Sequence, residues 1–102
     1  MNSKIKDENT DFLFEAILRL KNLEECYQFF EDLCTVSEIK AMSQRIVVAK
    51  MLSDKRVYSD IVAATGASTA TISRVNRSLS YGTGAYEKLF RRIKRKQDDE
   101  PV

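Results

Sequence analysis

The 102 residues include no histidine, one proline, three glycines and two cysteines. Each shortage excludes something. Without histidine the chain lacks the commonest general base and the commonest metal ligand. Serine and threonine are plentiful, but nothing near them is suited to activate a nucleophile. An enzyme is therefore not expected, and neither is a metal or other cofactor. The proline is Pro101 and the glycines are Gly66, Gly82 and Gly84. So few breakers leave long runs of helix formers and predict an all-α chain. Cys26 and Cys34 lie eight apart in an apolar region and form no Cys-x-x-Cys pair. They read as small buried hydrophobes of a reducing compartment. No apolar run is long enough to cross a membrane and no signal peptide is recognisable, so a cytoplasmic protein is expected.

The net charge of +2 hides an asymmetry. Residues 1–52 carry seven basic and nine acidic side chains, a net −2, whereas residues 53–97 carry ten and three, a net +7. Residues 98–102 add three acids. A basic half supplies the sequence-independent attraction to phosphate on which DNA binding is built.

Along the chain, residues 1–9 are polar and read as a flexible arm. A single helical domain is expected over residues 10–95. Thr10 or Asp11 can cap a first helix running to about Leu20. Asn22 and Glu25 have capping-box spacing, which predicts a second helix from Leu23 to Leu33. Fourteen of residues 12–34 are hydrophobic. Phe12, Leu13, Phe14, Ile17, Leu18 and Leu20 cover more than one helical face, and such a helix must be covered on several sides. In so short a chain the expected cover is a second copy, which makes a homodimer. Thr35 and Glu38 form another capping box and open a third helix to about Ser53, with Ile39, Met42, Ile46, Ala49 and Leu52 as its apolar face. Asp54-Lys55-Arg56 reads as a polar loop. Ser80 to Gly84 reads as another loop, and a last helix is expected over residues 85–95 with Tyr86, Leu89, Phe90 and Ile93 on one side. Residues 96–102 read as a disordered acidic tail.

Residues 57–79 carry the most specific pattern. Ile61 and Val62 begin a short helix, Gly66 breaks it, and Ser68 stands where an N-cap would start the next. Ile72 and Val75, three apart, can pack back against the first helix. Thr69, Ala70, Thr71, Ser73 and Arg74 fall on other faces. They are small, polar or basic, as suits a helix entering the major groove. This predicts a helix-turn-helix that reads double-stranded DNA. The alternative on the same fold is a dimeric protein-protein interaction module, which would have no need of the +7 half.

The run Leu33-Cys34-Thr35-Val36-Ser37-Glu38, the run Ala41-Met42-Ser43-Gln44-Arg45-Ile46, and Thr65 to Arg74 with Asn76 to Leu79 together resemble the Trp repressor family. The resemblance is closest to its TrpR-like YerC/YecD branch and covers about residues 10–95. It implies six helices and an entwined homodimer in which residues 10–53 are the dimerisation helices. It implies a DNA-binding transcriptional regulator, first of all a repressor. Helix-turn-helix dimers of this kind, the Trp repressor itself among the worked cases, place recognition helices in successive major grooves about 34–36 Å apart, a spacing inherited from that mode. Ser68, Thr69, Ala70, Thr71 and Ser73 are then the expected base-facing residues, and Lys55, Arg56, Arg74 and Arg77 the expected phosphate contacts. The resemblance also implies an effector pocket bordered by Thr35, Arg45, Arg74 and Ser78. Val75 follows Arg74 where the family prototype has glycine. The branched side chain narrows that space and argues against tryptophan as the effector. A smaller ligand remains open, as does pairing of Arg45 and Arg74 with acids or phosphate and no ligand.

Overall fold

The chain forms six helices in the order α1 (Glu8–Leu18), α2 (Leu23–Leu33), α3 (Val36–Ser53), α4 (Tyr58–Thr65), α5 (Thr69–Tyr81) and α6 (Ala85–Asp99). The computed structural model describes residues 4–99, with side chains as far as Ile93. The all-α class and the six helices are as the composition and resemblance require. The chain, expected as a single domain over residues 10–95, divides into two compact units after Ile39. The buried core lies wholly in the second unit, because its seven members all follow Lys40.

In the first unit, local capping decides the helix limits. Asp7, not Thr10 or Asp11, caps α1, and its carboxylate accepts the Thr10 N–H at 2.7 Å. Asp11 pairs instead with Lys6 at 2.8 Å. Glu8 and Asn9 are therefore helical, and the expected flexible arm shrinks by those two residues; residues 1–3 lie outside the described part. The Thr10 backbone N–H, followed by its hydroxyl, holds the Asp7 carboxyl below its ordinary pKa. At its other end α1 stops at Leu18. The Arg19 and Leu20 amides turn back to Ala16 and Ile17 in a tightened last turn. Asn22 is extended and caps α2 by accepting the Glu25 N–H at 2.9 Å. Glu25 reaches back one residue further than the usual box, to the Lys21 amide.

The α3 box is complete. Thr35 Oγ1 accepts the Glu38 N–H at 3.1 Å and Glu38 accepts the Thr35 N–H at 2.8 Å. That amide, and then the Thr35 hydroxyl, lower the Glu38 pKa. The cap is thus fully formed above the ordinary carboxylate pKa and is lost as pH falls through the lowered one.

No residue of α1 or α2 is buried. Phe12 is 74 % exposed and Leu18 76 %. Cys26 and Cys34 are free thiols, half-buried and not fully inside as expected.

The second unit has a core of Val48 and Ala49 from α3, Ile61 from α4, Ala67 from the turn, Ile72 and Val75 from α5, and Phe90 from α6. Met51, Leu52, Leu79 and Tyr86 pack against it. Tyr86 stacks on Phe90 with ring centres 5.9 Å apart. The expected apolar face of α3 is only partly the one used. Ala49 and Leu52 face this core, but Met42 and Ile46 are exposed and Val48 takes the central place. The helix is apolar on more than one side, and a single chain can cover only one of them.

α5 continues two residues beyond the expected end, through Tyr81. Gly82 stops it, with its N–H on the Ser78 carbonyl at 2.9 Å. A Cβ on Gly82 would run into that same carbonyl. α6 runs to Asp99, so residues 96–99 of the expected disordered tail are helical. Lys96 and Gln97 are good helix formers, and no breaker precedes Pro101 in the sequence. Residues 100–102 of that expectation lie outside the described part.

Candidate nucleic-acid interface

The helix-turn-helix begins at the end of α3. Lys55 takes φ 66°, a left-handed conformation rare for a residue with a side chain. Its N–H bonds the Leu52 carbonyl and the Arg56 N–H bonds the Met51 carbonyl, each at 3.0 Å. This is the paired-bond pattern that closes a helix at a left-handed residue, usually a glycine. It turns the chain out of α3 and leaves Lys55 and Arg56 exposed ahead of α4. Arg56 and Asp60 pair at 3.6 Å, an exposed contact worth little to stability.

α4 starts at Tyr58, three residues before Ile61. Ile61 is its buried residue, and Val62 is 38 % exposed. Gly66 ends the helix at φ +70° and donates to the Val62 carbonyl at 2.8 Å. The Thr65 hydroxyl donates to the Ile61 carbonyl at 2.7 Å and accepts the Ala67 N–H at 3.1 Å. Gln44 of α3 donates its side-chain amide to the Thr65 carbonyl at 3.1 Å. Nothing in the sequence marks Gln44 for this role, because a bond between residues 21 apart leaves no local pattern.

Gly66→Ala should keep the fold but lose about 1–2 kcal/mol, the cost of a Cβ in the left-handed region. Open space around the position rules out a clash as the cause. In thermal unfolding the midpoint should fall by several degrees; an unchanged midpoint would mean the turn does not need φ > 0.

Ser68 caps α5. Its Oγ accepts the Thr71 N–H at 3.1 Å and donates to Thr71 Oγ1 at 3.0 Å. Ile72 and Val75 are buried, which turns the opposite side of α5 outward. Ser68, Thr69, Ala70, Ser73, Arg74 and Arg77 are exposed on it, whereas Thr71 is half-buried through its contact with Ser68. Neither Arg74 nor Arg77 makes an ion pair with any described residue. Of the expected base-facing and phosphate-contacting residues, eight are thus exposed around one turn and two helix starts, and Thr71 is partly withdrawn.

The expected pocket residues differ in burial and in the unit to which they belong. Thr35 belongs to the first unit, where its hydroxyl and amide serve the α3 cap. Arg45 and Arg74 are exposed, and Val75 is 3 % exposed within the core. A cavity of about 340 Å³ opens elsewhere, lined by Ile46, Ser78, Leu79, Tyr86, Leu89 and the Gly82–Gly84 turn. Ser78 is the one expected pocket residue that reaches it. No helix among the described residues is long and apolar enough to cross a membrane.

The family model described as Trp repressor protein matches residues 8–94. The uncharacterized protein YerC of Bacillus subtilis strain 168 is 54 % identical over 91 residues, which is 89 % of this chain and 88 % of that one. The crystal structure of a TrpR-like protein from Eubacterium eligens superposes with a TM-score of 0.88 at 57 % identity, covering 91 % of this chain and 96 % of that chain. A candidate Trp repressor from Staphylococcus aureus gives a TM-score of 0.86 at 54 % identity, covering 89 % and 91 %.

Proposed function

The chain belongs to the Trp repressor family, and from that premise we propose that it is a homodimeric transcriptional regulator, a repressor, that reads double-stranded DNA with α5. The observation that carries this reading is the Ser68-capped helix, anchored inward by Ile72 and Val75 and presenting short polar residues and unpaired arginines outward. It lies in the half of the sequence with net charge +7. Short side chains reach few base atoms, so water bridges and DNA shape carry much of the discrimination. Lys55, Arg56, Arg74 and Arg77 hold phosphates and set the register.

The test is affinity for a duplex selected from a random pool, measured across salt concentrations. The logarithm of affinity should fall linearly with the logarithm of salt, with a slope of about −0.9 for each phosphate neutralised. A flat line would remove DNA and favour the protein-interaction module.

Lys55 offers a finer test. Lys55→Gly relieves about 1–2 kcal/mol of left-handed strain and gives back roughly 0.5–1 kcal/mol in chain entropy. The variant should be slightly more stable than the natural protein. It should also bind DNA less tightly, with a slope shallower by about 0.9 for each phosphate that Lys55 neutralises in the natural protein. Greater stability with an unaltered slope would mean that Lys55 touches no phosphate.

Val75, expected to narrow an effector pocket, is instead 3 % exposed in a cluster with Val48 and Ala49, so its branched side chain is no argument against tryptophan.

A further inference from the structure

We propose that Tyr81 is a further DNA-contacting residue, its hydroxyl donating to a backbone phosphate at the rim of the groove that α5 enters. The proposal rests on α5 being the DNA-contacting helix.

Tyr81 is the last residue of α5 and, at 86 % exposure, the most exposed of the large hydrophobic side chains described. Among the described residues its ring stacks on no other and its hydroxyl has no hydrogen-bond partner. Tyrosine joins an apolar ring to a polar tip and is enriched at interfaces for that reason.

The direction of this side chain follows from the helix. Ile72, Val75 and Leu79 turn toward the core. Arg74, Arg77 and Tyr81 stand at i, i+3 and i+7, so they share the opposite face. Gly82 fixes the last turn through its N–H on the Ser78 carbonyl at 2.9 Å, which holds Tyr81 in helical register. Neither arginine of this row has an acid partner among the described residues. An anion is the neighbour that suits such a face.

The position along the helix selects phosphate over base. In this docking mode the N-terminal residues of the reading helix meet base edges. Tyr81 stands twelve residues after Thr69, the first of α5, or about 18 Å along the axis. The major groove is only about 12 Å wide. The C-terminal end of α5 therefore reaches past the groove floor to the phosphates along its edge. Tyrosine is among the side chains that donate to phosphate oxygens. Its hydroxyl is neutral and releases no counterion. It adds affinity without steepening the salt dependence, which separates it from the arginines beside it.

The experiment compares the natural full-length protein with Tyr81→Phe, Tyr81→Ala and Arg77→Ala. Each is titrated with the selected duplex and with a random one across salt concentrations. Tyr81→Phe should bind both duplexes about tenfold more weakly, the effect of one hydrogen bond to a charged acceptor. Its salt slope and its thermal midpoint should match those of the natural protein. Tyr81→Ala should lose more, because the ring goes too. Arg77→Ala should instead make the slope shallower by about 0.9. When neutral methylphosphonates are scanned along the selected duplex, one linkage in each half-site should make the natural protein and Tyr81→Phe bind alike. Natural affinity in Tyr81→Phe overturns the proposal. A loss confined to the selected duplex overturns it in favour of a base edge. A weaker Tyr81→Phe protein whose midpoint has also become more dependent on protein concentration overturns it in favour of a contact between two copies. Salt-dependent binding that no Tyr81 variant alters strikes out Tyr81 alone. No binding by the natural protein at any salt strikes out α5 as the reader, which separates the two failures.

Discussion

Ser73→Glu is expected to abolish DNA binding and to leave the protein folded. Ser73 is exposed, and its neighbour Ile72 carries the packing. A surface substitution of this kind should move stability by no more than about 0.5 kcal/mol. In the proposed complex the new carboxylate would face phosphates and base acceptors, and like charges brought together across an interface cost about several kcal/mol. Two copies of the site act at once in a dimer, so affinity should drop by at least roughly a hundredfold. Thr71 is a poorer place for the same substitution. It stands three residues after the Ser68 cap, where a glutamate completes a capping box and turns back toward Ser68. Electrophoretic mobility and circular dichroism on Ser73→Glu decide the matter. Natural affinity in a folded variant would mean that α5 does not read DNA.

The second large effect concerns assembly. Among the described residues of the first unit none is buried, and Phe12, Leu18, Leu23 and Tyr27 are each at least 70 % exposed. Leu89 and Ile93 of α6 are left 44 % and 50 % exposed in the second. Exposed apolar surface on this scale marks an interaction site. The charges point the same way. Residues 1–39 carry four basic and nine acidic side chains, and residues 40–102 carry thirteen and six. A second copy of the chain offers both apolar and electrostatic complementarity. The melting temperature should therefore rise with protein concentration. Phe12→Ala should cost about 3–5 kcal/mol per subunit, the loss typical of a core phenylalanine, although the side chain is exposed in a single chain. Sedimentation equilibrium and thermal unfolding check both statements. A stable folded monomer, or a Phe12→Ala protein as stable as the parent, would contradict this account.

What can be read from the sequence is what local chemistry decides. α2 spans Leu23–Leu33 as the Asn22 cap requires, the Thr35–Glu38 box closes on both bonds, and Gly66 and Ser68 do what their residue types suggest. Competing caps are harder to rank. Asp7 takes the cap, and Asp11, four residues on, pairs with Lys6 instead, a choice no spacing rule makes. Left-handed Lys55 is illegible for a different reason: residue type argues against it, and only the two bonds around it hold it there. Val75 carries two readings in the sequence: its spacing from Ile72 turns it inward, and the family resemblance sets it beside a pocket. The first is the one found, with both residues in the core.

Apart from the bond from Gln44 to the Thr65 carbonyl, the bonds that shape the turn between α4 and α5 join residues no more than four apart, from Ile61 to Thr71. Such short-range closure is fast, on the order of microseconds for a helical hairpin of this size. The sole proline, Pro101, lies far along the chain from that turn, so no slow isomerisation stands in its way. Pairing of two chains is bimolecular and slows as the protein becomes dilute. If two chains pair as proposed, folding should be ordered in time, with the α4–α5 hairpin formed before a partner is recruited. At low protein concentration the waiting time before a second subunit arrives would then set how soon the proposed paired reader exists.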